Sequence, residues 1–353
     1  MKIAAIIEEF NGFGTKHQNF IRQVREISQA DYVIAIMSGD FIQQGIPALE
    51  NKYDRAKRAV LSGVDLVIEL PVFGVLSSPD TYAYAAVSML DSLRCVDEVY
   101  IPCDTSYTDL LFDAARFLFM ENRDYQLRLR NFRIAGMSFY DAQARAVGMS
   151  IQGGGEILQN PVNIFAAEYL RALKRLYSQI VPRLIQAPDL SPKSRENIWH
   201  KPSAYLSSLL KYALFYGPKN MDEIYGGTSM LTQSILQARE SYDSFDTFCA
   251  RLKTPTRSQA NIRRYMLNMI LNMRKSDIAI CRLYGFSLYF RGLCARPGGD
   301  DLADYIRSHT WTPLFFTTPQ SWDHVPKEAD PAIQRIASLD VRAHKLYILS
   351  RKN

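Results

Sequence analysis

Two glycines and a lone histidine follow the first apolar run of the chain, in AAIIEEFNGFGTKHQNFIRQV, Ala4 to Val24. Strand-like residues stop at Glu8 and Glu9, the chain turns through Gly12 and Gly14, and helix-period sequence resumes after His17. A turn that leaves a strand and opens a helix presents backbone N–H groups and the positive end of a helix dipole, which is the chemistry of phosphate binding. The same residue types also build ordinary strand-to-helix turns, and this stretch alone favours that simpler account. The five histidines and five cysteines are scattered, with no C-x-x-C, H-x-x-x-H or H-E-x-x-H spacing. Neither a disulfide framework nor a zinc site is therefore expected.

The elements around this turn read as parallel βαβ units through about residue 180. KIAAIIE (2–8), DYVIAIM (31–37), VDLVIELP (64–71) and VDEVYIP (96–102) read as strands, and RLIQAP (183–188) supplies a fifth. Helical segments separate them, one stopping near Gly63, one Ser-capped in GMSFYDAQARAVG, and one amphipathic in NPVNIFAAEYLRALKRLYSQ, with Ile164, Tyr169, Leu173 and Leu176 at helical spacing. Near-continuous apolar strands belong to a sheet covered on both faces. The expected fold class is α/β: a doubly wound, five-stranded parallel sheet over residues 1–188, followed by a mainly α-helical domain over 189–353. APDLSPKSRENIWHKPS marks the boundary. In the second half TPTRSQANIRRYMLNMILNMR reads as a helix capped by threonine and started at Pro255. Its Ile262, Met266, Ile270 and Met273 make a buried stripe with Arg263 and Arg264 turned off it.

At 353 residues and 47% hydrophobic, the chain is long enough for two cores. No apolar run approaches the length of a membrane span, and MKIAAII meets Glu8 and Glu9 too early for a signal peptide, so a cytoplasmic protein is expected. The net charge of +6 divides into −3 over residues 1–180 and +9 over 181–353. A basic half suits a polyanion, although basic residues also simply solvate helical surfaces. Arg251, Lys253, Arg257, Arg263 and Arg264 form its densest cluster, and Tyr212, Tyr216 or Tyr225 could stack on bases.

EFNGFGTKH, MSGDFIQQGIPA, NKYDRAKRAVLSGVDLVIELP, PDTYAYAAVSMLDSL, GMSFYDAQARAVG, NPVNIFAAEYLRALKRL, LKTPTRSQANIRRYMLNMIL and LDVRAHKLYIL occur in this order. Together they resemble the bacterial tRNA(Met) cytidine acetate ligase family across nearly the whole chain. The resemblance implies a HIGH-type nucleotidyltransferase (HUP, Rossmann-like) domain followed by a helical RNA-binding region. It implies ATP, with magnesium as its counter-ion, activating acetate as acetyl-adenylate, and acetyl transfer to N4 of the wobble cytidine of elongator tRNA(Met). On this resemblance His17 and Lys16 are the catalytic candidates, and Ile7, Glu9, Asn11, Gly12, Gly14, His17, Phe20, Pro102 and Asn163 line the nucleotide site. Val162 is a rival match for Asn163, which could instead be an N-cap. Lys253, Arg257, Arg263 and Arg264 are assigned to tRNA. Asn51, Lys52, Arg55, Asp65 and Glu69 match the family's polar positions, Asp65 more simply as a brace for its strand.

The chain also departs from the family. Gly14 replaces the first histidine of H-x-G-H and Lys16 its glycine, Gln44 stands where the family has arginine, and Pro102 fills a glycine position. No Ser-Ala-Thr/Ser-x-Ile-Arg segment follows the fifth strand; Ser194-Arg195 and Ser203 are weak substitutes. These departures keep open an alternative, a degenerate relative that binds nucleotide or RNA without adenylation. A small-molecule adenylyltransferase is disfavoured because it leaves the basic half without a role.

Overall fold

The computed structural model describes residues 1–187, 204–298, 300–325 and 329–351. The expected domain boundary, together with Ser194-Arg195 and Ser203, falls largely in 188–203, outside the described residues. The chain runs β1 (Ile3–Ile7), α1 (Thr15–Ser28), β2 (Tyr32–Ser38), the short strands β3 (Phe41–Ile42) and β4 (Ile46–Pro47), α2 (Lys52–Leu61) and β5 (Leu66–Leu70). It continues through α3 (Val72–Val75), α4 (Pro79–Ser92), β6 (Glu98–Cys103), α5 (Thr108–Met120), α6 (Arg123–Ile134), α7 (Phe139–Gly148), α8 (Gly154–Ile157), α9 (Pro161–Arg175) and β7 (Val181–Gln186). The second half adds α10 (Ala204–Tyr216), α11 (Ser229–Ala238), α12 (Phe245–Arg251), α13 (Gln259–Leu271), α14 (Lys275–Leu283), β8 (Phe290–Ala295), α15 (Asp300–His309), β9 (Leu314–Phe316) and α16 (Pro331–Ser350).

The five expected strands form a parallel sheet with the doubly wound order β7-β6-β1-β2-β5. Side chains alternate across it with period two. Ile3, Ala5 and Ile7 of β1 enter a core shared with Ala83, Val87, Ala166 and Leu170 of α4 and α9. Ala4 and Ile6 enter the core on the other face with Phe20, Ile21 and Val24 of α1. Two strands from the second half extend this sheet beyond expectation: β8 pairs antiparallel with β5, and β9 pairs parallel with β8. Among the described residues the sheet has seven strands rather than the expected five, the mainly helical second half supplying two of them. An uncovered β5 edge would expose a row of backbone donors and acceptors, which β8 satisfies.

Two local expectations shift. The helix expected to begin around Thr254 and Pro255 starts at Gln259, with Ser258 capping it by accepting from Asn261 N. Thr254 and Arg257 instead exchange backbone hydrogen bonds across a tight turn holding Pro255. Asn163 lies inside α9, whose N-cap is Asn160, accepting from Val162 N. Asp65 serves as a brace, accepting from Val33 N and pairing with Arg25 and Arg296.

A buried ionic cluster fastens the two halves together. Lys52 Nζ lies 2.9 Å from Asp40 Oδ2 and 2.8 Å from Glu69 Oε1, all three side chains buried. Arg291 of β8 approaches Glu69 at 3.6 Å and Asp340 of α16 at 3.4 Å. His344 Nδ1 meets Asp40 Oδ1 at 2.7 Å, and Tyr289 donates to Asp340 at 2.6 Å. Any β-carbon at Gly39 would collide with Glu69 Oε1. Burial pushes the Asp40 carboxyl up, but Lys52 and His344 more than reverse this and hold it lowered to about 2. Burial likewise disfavours the Lys52 ammonium, and Asp40 and Glu69 outweigh it, raising its pKa.

Removing one partner strands the others without water. Lys52→Met should cost about 3–5 kcal/mol of stability in urea unfolding. The Asp40 pKa sets a pH dependence: its native carboxyl stays ionised below the ordinary value of 3.8, so its contribution is complete above that pH and is lost as pH falls toward about 2. The stability gap between the unaltered protein and Asp40→Asn should therefore shrink by about 2 kcal/mol from about pH 5 to about pH 2. A pH-independent gap would contradict this.

Candidate functional site

The C-terminal ends of β1 and β6 open into a cleft of about 1060 Å³, its mouth included. β1 sits between β6 and β2 while the chain connects β1 to β2, so the cleft lies at a point where strand order reverses, where open α/β sheets place their ligands. One wall is the exit of β1, with Ile7, Glu8, Glu9, Asn11, Gly12 and Lys16. The opposite wall is aromatic and aliphatic: Tyr82 of α4, Pro102 of β6, and Val162, Phe165 and Tyr169 of α9. The Phe165 ring lies 5.6 Å from Tyr82, edge to face, and 6.2 Å from Tyr169. The β3–β4 hairpin completes it with Ile42, Gln43, Gln44 and Ile46, followed by Leu49.

The β1 exit is built by its own side chains. Phe10 and Gly12 adopt φ of 49° and 68°, which turns the chain sharply before α1. Glu8 Oε1 accepts from Glu9 N and Phe10 N at 3.1 and 3.4 Å, bracing the turn from within. Glu9 Oε1 accepts from Gln43 N at 2.7 Å, tying the turn to the hairpin. The Arg55 guanidinium, fully buried, donates to the carbonyls of Glu9, Ser38, Gly39 and Glu50 and holds both segments from below. Asn11 Oδ1 accepts from Leu49 N at 2.8 Å. Burial, with Glu8 and Glu9 nearby, holds the Tyr169 phenol well above its ordinary range, so its hydroxyl stays a neutral donor.

His17 is not on the cleft wall, contrary to its expected role. Its ring is fully buried, stacked on Phe13 at 5.4 Å and edge-on to Phe10 at 5.8 Å. Nδ1 accepts from Gly14 N at 3.1 Å, and Nε2 faces Glu8 Oε1 at 3.8 Å. The imidazole thus folds behind the turn it was expected to arm. Lys16, one residue earlier, lines the cleft. Gly14 is the N-cap of α1, and Phe20 packs in the core between α1 and the sheet. Asn163 accepts from Asp104 N and donates to Ile157 O, leaving the cleft wall to its neighbour Val162. Ile7, Glu9, Asn11, Gly12 and Pro102 line the cleft. Sequence reasoning missed Tyr82, Phe165 and Tyr169, which at helical spacing look like ordinary core. It also missed the hairpin, whose signal was Gly45 between two short apolar pairs.

The four residues assigned to RNA separate. Lys253 is exposed and Arg257 half-buried. Arg263 pairs with Asp246 at 2.7 Å. Arg264 is only 6% exposed and donates to Gln43 O at 2.8 Å, so its charge is not on the surface where a polyanion would meet it. Tyr212 and Tyr216 are exposed with rings 5.6 Å apart, while Tyr225 is half-buried. Among the described residues, no group of three or more His, Cys, Asp or Glu is arranged to hold a metal ion.

The family model of the HIGH Nucleotidyl Transferases matches residues 1–189 and 188–353. A tRNA(Met) cytidine acetate ligase of Halothermothrix orenii is 26% identical over 401 positions, covering 99% of this chain and 95% of the relative. One from Clostridium kluyveri is 28% identical over 406 positions, with 100% and 96% covered. One from Thermoanaerobacter sp. is 34% identical over 251 positions, with 70% and 62% covered. Alignments longer than this 353-residue chain mean that the first two relatives carry residues it lacks. Thermotoga maritima TmcAL bound with alpha-thio ATP has the same fold at a TM-score of 0.85 and 22% identity, covering 99% of this chain and 95% of that one. Its apo form superposes at 0.84 and 23%, covering 98% and 94%. With both halves matched in order, the chain belongs to the HIGH nucleotidyl transferase family.

Proposed function

We propose that this protein uses ATP to activate acetate and transfers the acetyl group to a cytidine of tRNA(Met), elongator tRNA being the substrate. The observation that carries this reading is the cleft at the β1–β6 strand ends, with Lys16 in the first turn of α1 on one wall and an apolar, aromatic wall facing it. The names borne by the relatives from Halothermothrix and Clostridium support the reaction.

Acetate is a poor acyl donor until its oxygen attacks the α-phosphorus of ATP and pyrophosphate leaves. The cytidine N4 amine then attacks the acetyl carbonyl, AMP departs, and N4 loses a proton. Lys16 is the cation that meets the phosphates, aided by the positive end of α1. The apolar wall excludes water, which strengthens the Lys16 charge and protects the acetyl-adenylate from hydrolysis. The hard oxygen donors Glu8 and Glu9 on the cleft wall would hold a magnesium counter-ion, which would offset the charge of the phosphates. His17 contributes by fixing the turn that aims Lys16. Residues 1–188 act as the nucleotide unit and 189–353 as the tRNA unit, with Lys253 and Arg257 on its basic face and Arg263 beside them. Tyr212 and Tyr216 offer stacking surfaces. No helix among the described residues is long and apolar enough to cross a membrane, and a cytoplasmic location suits a tRNA substrate.

Purified protein with ATP, acetate and tRNA(Met) should release pyrophosphate and yield acetylated cytidine detectable by mass spectrometry of digested tRNA. No pyrophosphate release in the complete mixture would sink the reading. Lys16→Met should lower kcat/KM by about 100-fold, the scale of losing one charge-assisted contact in a water-poor site. On the tRNA side, changing both Lys253 and Arg257 to Ala should reduce the slope of log affinity against log salt by about one to two. An unchanged slope would move the phosphate contacts elsewhere.

A further inference from the structure

The cleft wall made by the β3–β4 hairpin is too short to hold itself. Each strand contributes two residues, and the hairpin's position is set by what grips Gln43 at its turn. Gln43 N donates to Glu9 Oε1 at 2.7 Å from the β1 side. Gln43 O accepts from Arg264 Nη1 at 2.8 Å from α13. Gly45 seats the tip directly on the same helix: with φ of 73°, a β-carbon there would lie 2.6 Å from Arg264 N and 2.8 Å from Arg263 Cβ. The second half thus reaches into the first and sets the height of the cleft wall that carries Ile42, Gln43, Gln44 and Ile46.

Among the described residues Arg264 forms no salt bridge to a carboxylate within 4.0 Å, although it is nearly buried. Burial lowers its pKa to about 10, with Tyr140, Tyr225 and Asp80 countering part of that effect. A buried guanidinium spent on one neutral carbonyl is an expensive way to hold a loop unless the position of that loop matters.

We infer that Arg264 is a positioning residue of the nucleotide cleft, acting through the Gln43 carbonyl, and not a contact to RNA. This rests on the reading that the cleft takes ATP. It assigns part of the nucleotide affinity to the half of the chain that otherwise serves tRNA.

The test uses the full chain, a nonhydrolysable ATP analogue in calorimetry, tRNA binding at fixed salt, and steady-state kinetics. Arg264→Met should raise both the analogue Kd and the KM for ATP by about tenfold or more, the scale of one lost charged hydrogen bond. It should leave kcat and the tRNA Kd within about threefold, a split that general destabilisation does not produce. Arg264→Lys, which keeps the donor, should recover most of the analogue affinity. Gly45→Ala pushes the hairpin off α13 without touching the cleft lining and should weaken the analogue in the same way, which carries the test should Arg264→Met fail to fold. Analogue binding unchanged in Gly45→Ala and in whichever Arg264 variants fold overturns the inference alone. So does a loss of tRNA affinity in Arg264→Met with nucleotide affinity intact. An unaltered protein that binds no analogue overturns the functional reading as well.

Discussion

The contact between Lys52 and the two carboxylates of Asp40 and Glu69 is the constraint around which the molecule is arranged. An ammonium without water has to be met by opposite charge, and each carboxylate that meets it then needs partners of its own. Those partners come from far along the chain: His344 of α16 for Asp40, and Arg291 of β8 for Glu69, with Asp340 of α16 completing the Arg291 site. One buried lysine near the start of α2 thereby requires a strand and a helix from the last third of the sequence. Asp340 extends the chain of demands to the backbone, accepting from Val72 N where β5 gives way to α3.

The cluster is joined to the cleft through the loop between β2 and β3. Asp40 precedes β3, so the same few residues that enter the cluster on one side become the hairpin wall on the other. Arg55, one turn along α2 from Lys52, carries the connection forward by holding the Glu9 carbonyl of the β1 exit. The cleft loops therefore do not depend on their own sequence for rigidity. They are clamped from beneath by α2 and from the side by α13, and a cleft whose walls are fixed before a ligand arrives loses less entropy on binding.

The parallel strands were legible in the sequence because β-branched runs between Gly, Pro and helix-period segments have few other readings. β8 was not: FRGLCA carries an arginine and a glycine that look wrong for a covered strand. Both make sense only in the fold, where Arg291 meets Glu69 and Asp340, and Gly292 lies against the Phe316 ring of β9. In the site, the β1 exit could be read from its glycines, but the aromatic wall could not. Tyr82, Phe165 and Tyr169 follow the spacing of buried helix faces, and nothing local says that a cleft rather than a neighbour covers them. Arg263 and Arg264 show the same limit at one position. Adjacent helix residues point about 100° apart, so two identical cations part company, one to Asp246 near the surface and one into the hairpin.

The turn GTKH shows how a changed motif redistributes its tasks. Gly14 is the N-cap of α1 in extended backbone, and its N–H is received by Nδ1 of His17. A ring nitrogen that accepts leaves the proton of a neutral imidazole on Nε2, the atom facing Glu8. The histidine is thus committed through Nδ1 to the loop's own geometry, with its other nitrogen turned toward Glu8. Lys16, the next residue back in the first turn of α1, puts a positive charge on the cleft wall. On the proposed reading, a lysine lacks the fixed planar fork of an arginine, so transition-state discrimination would rest on the surroundings of that charge. Those surroundings are the positive end of α1 and the wall of Tyr82, Phe165 and Tyr169, and beside an apolar wall a charge acts more strongly than it would in water.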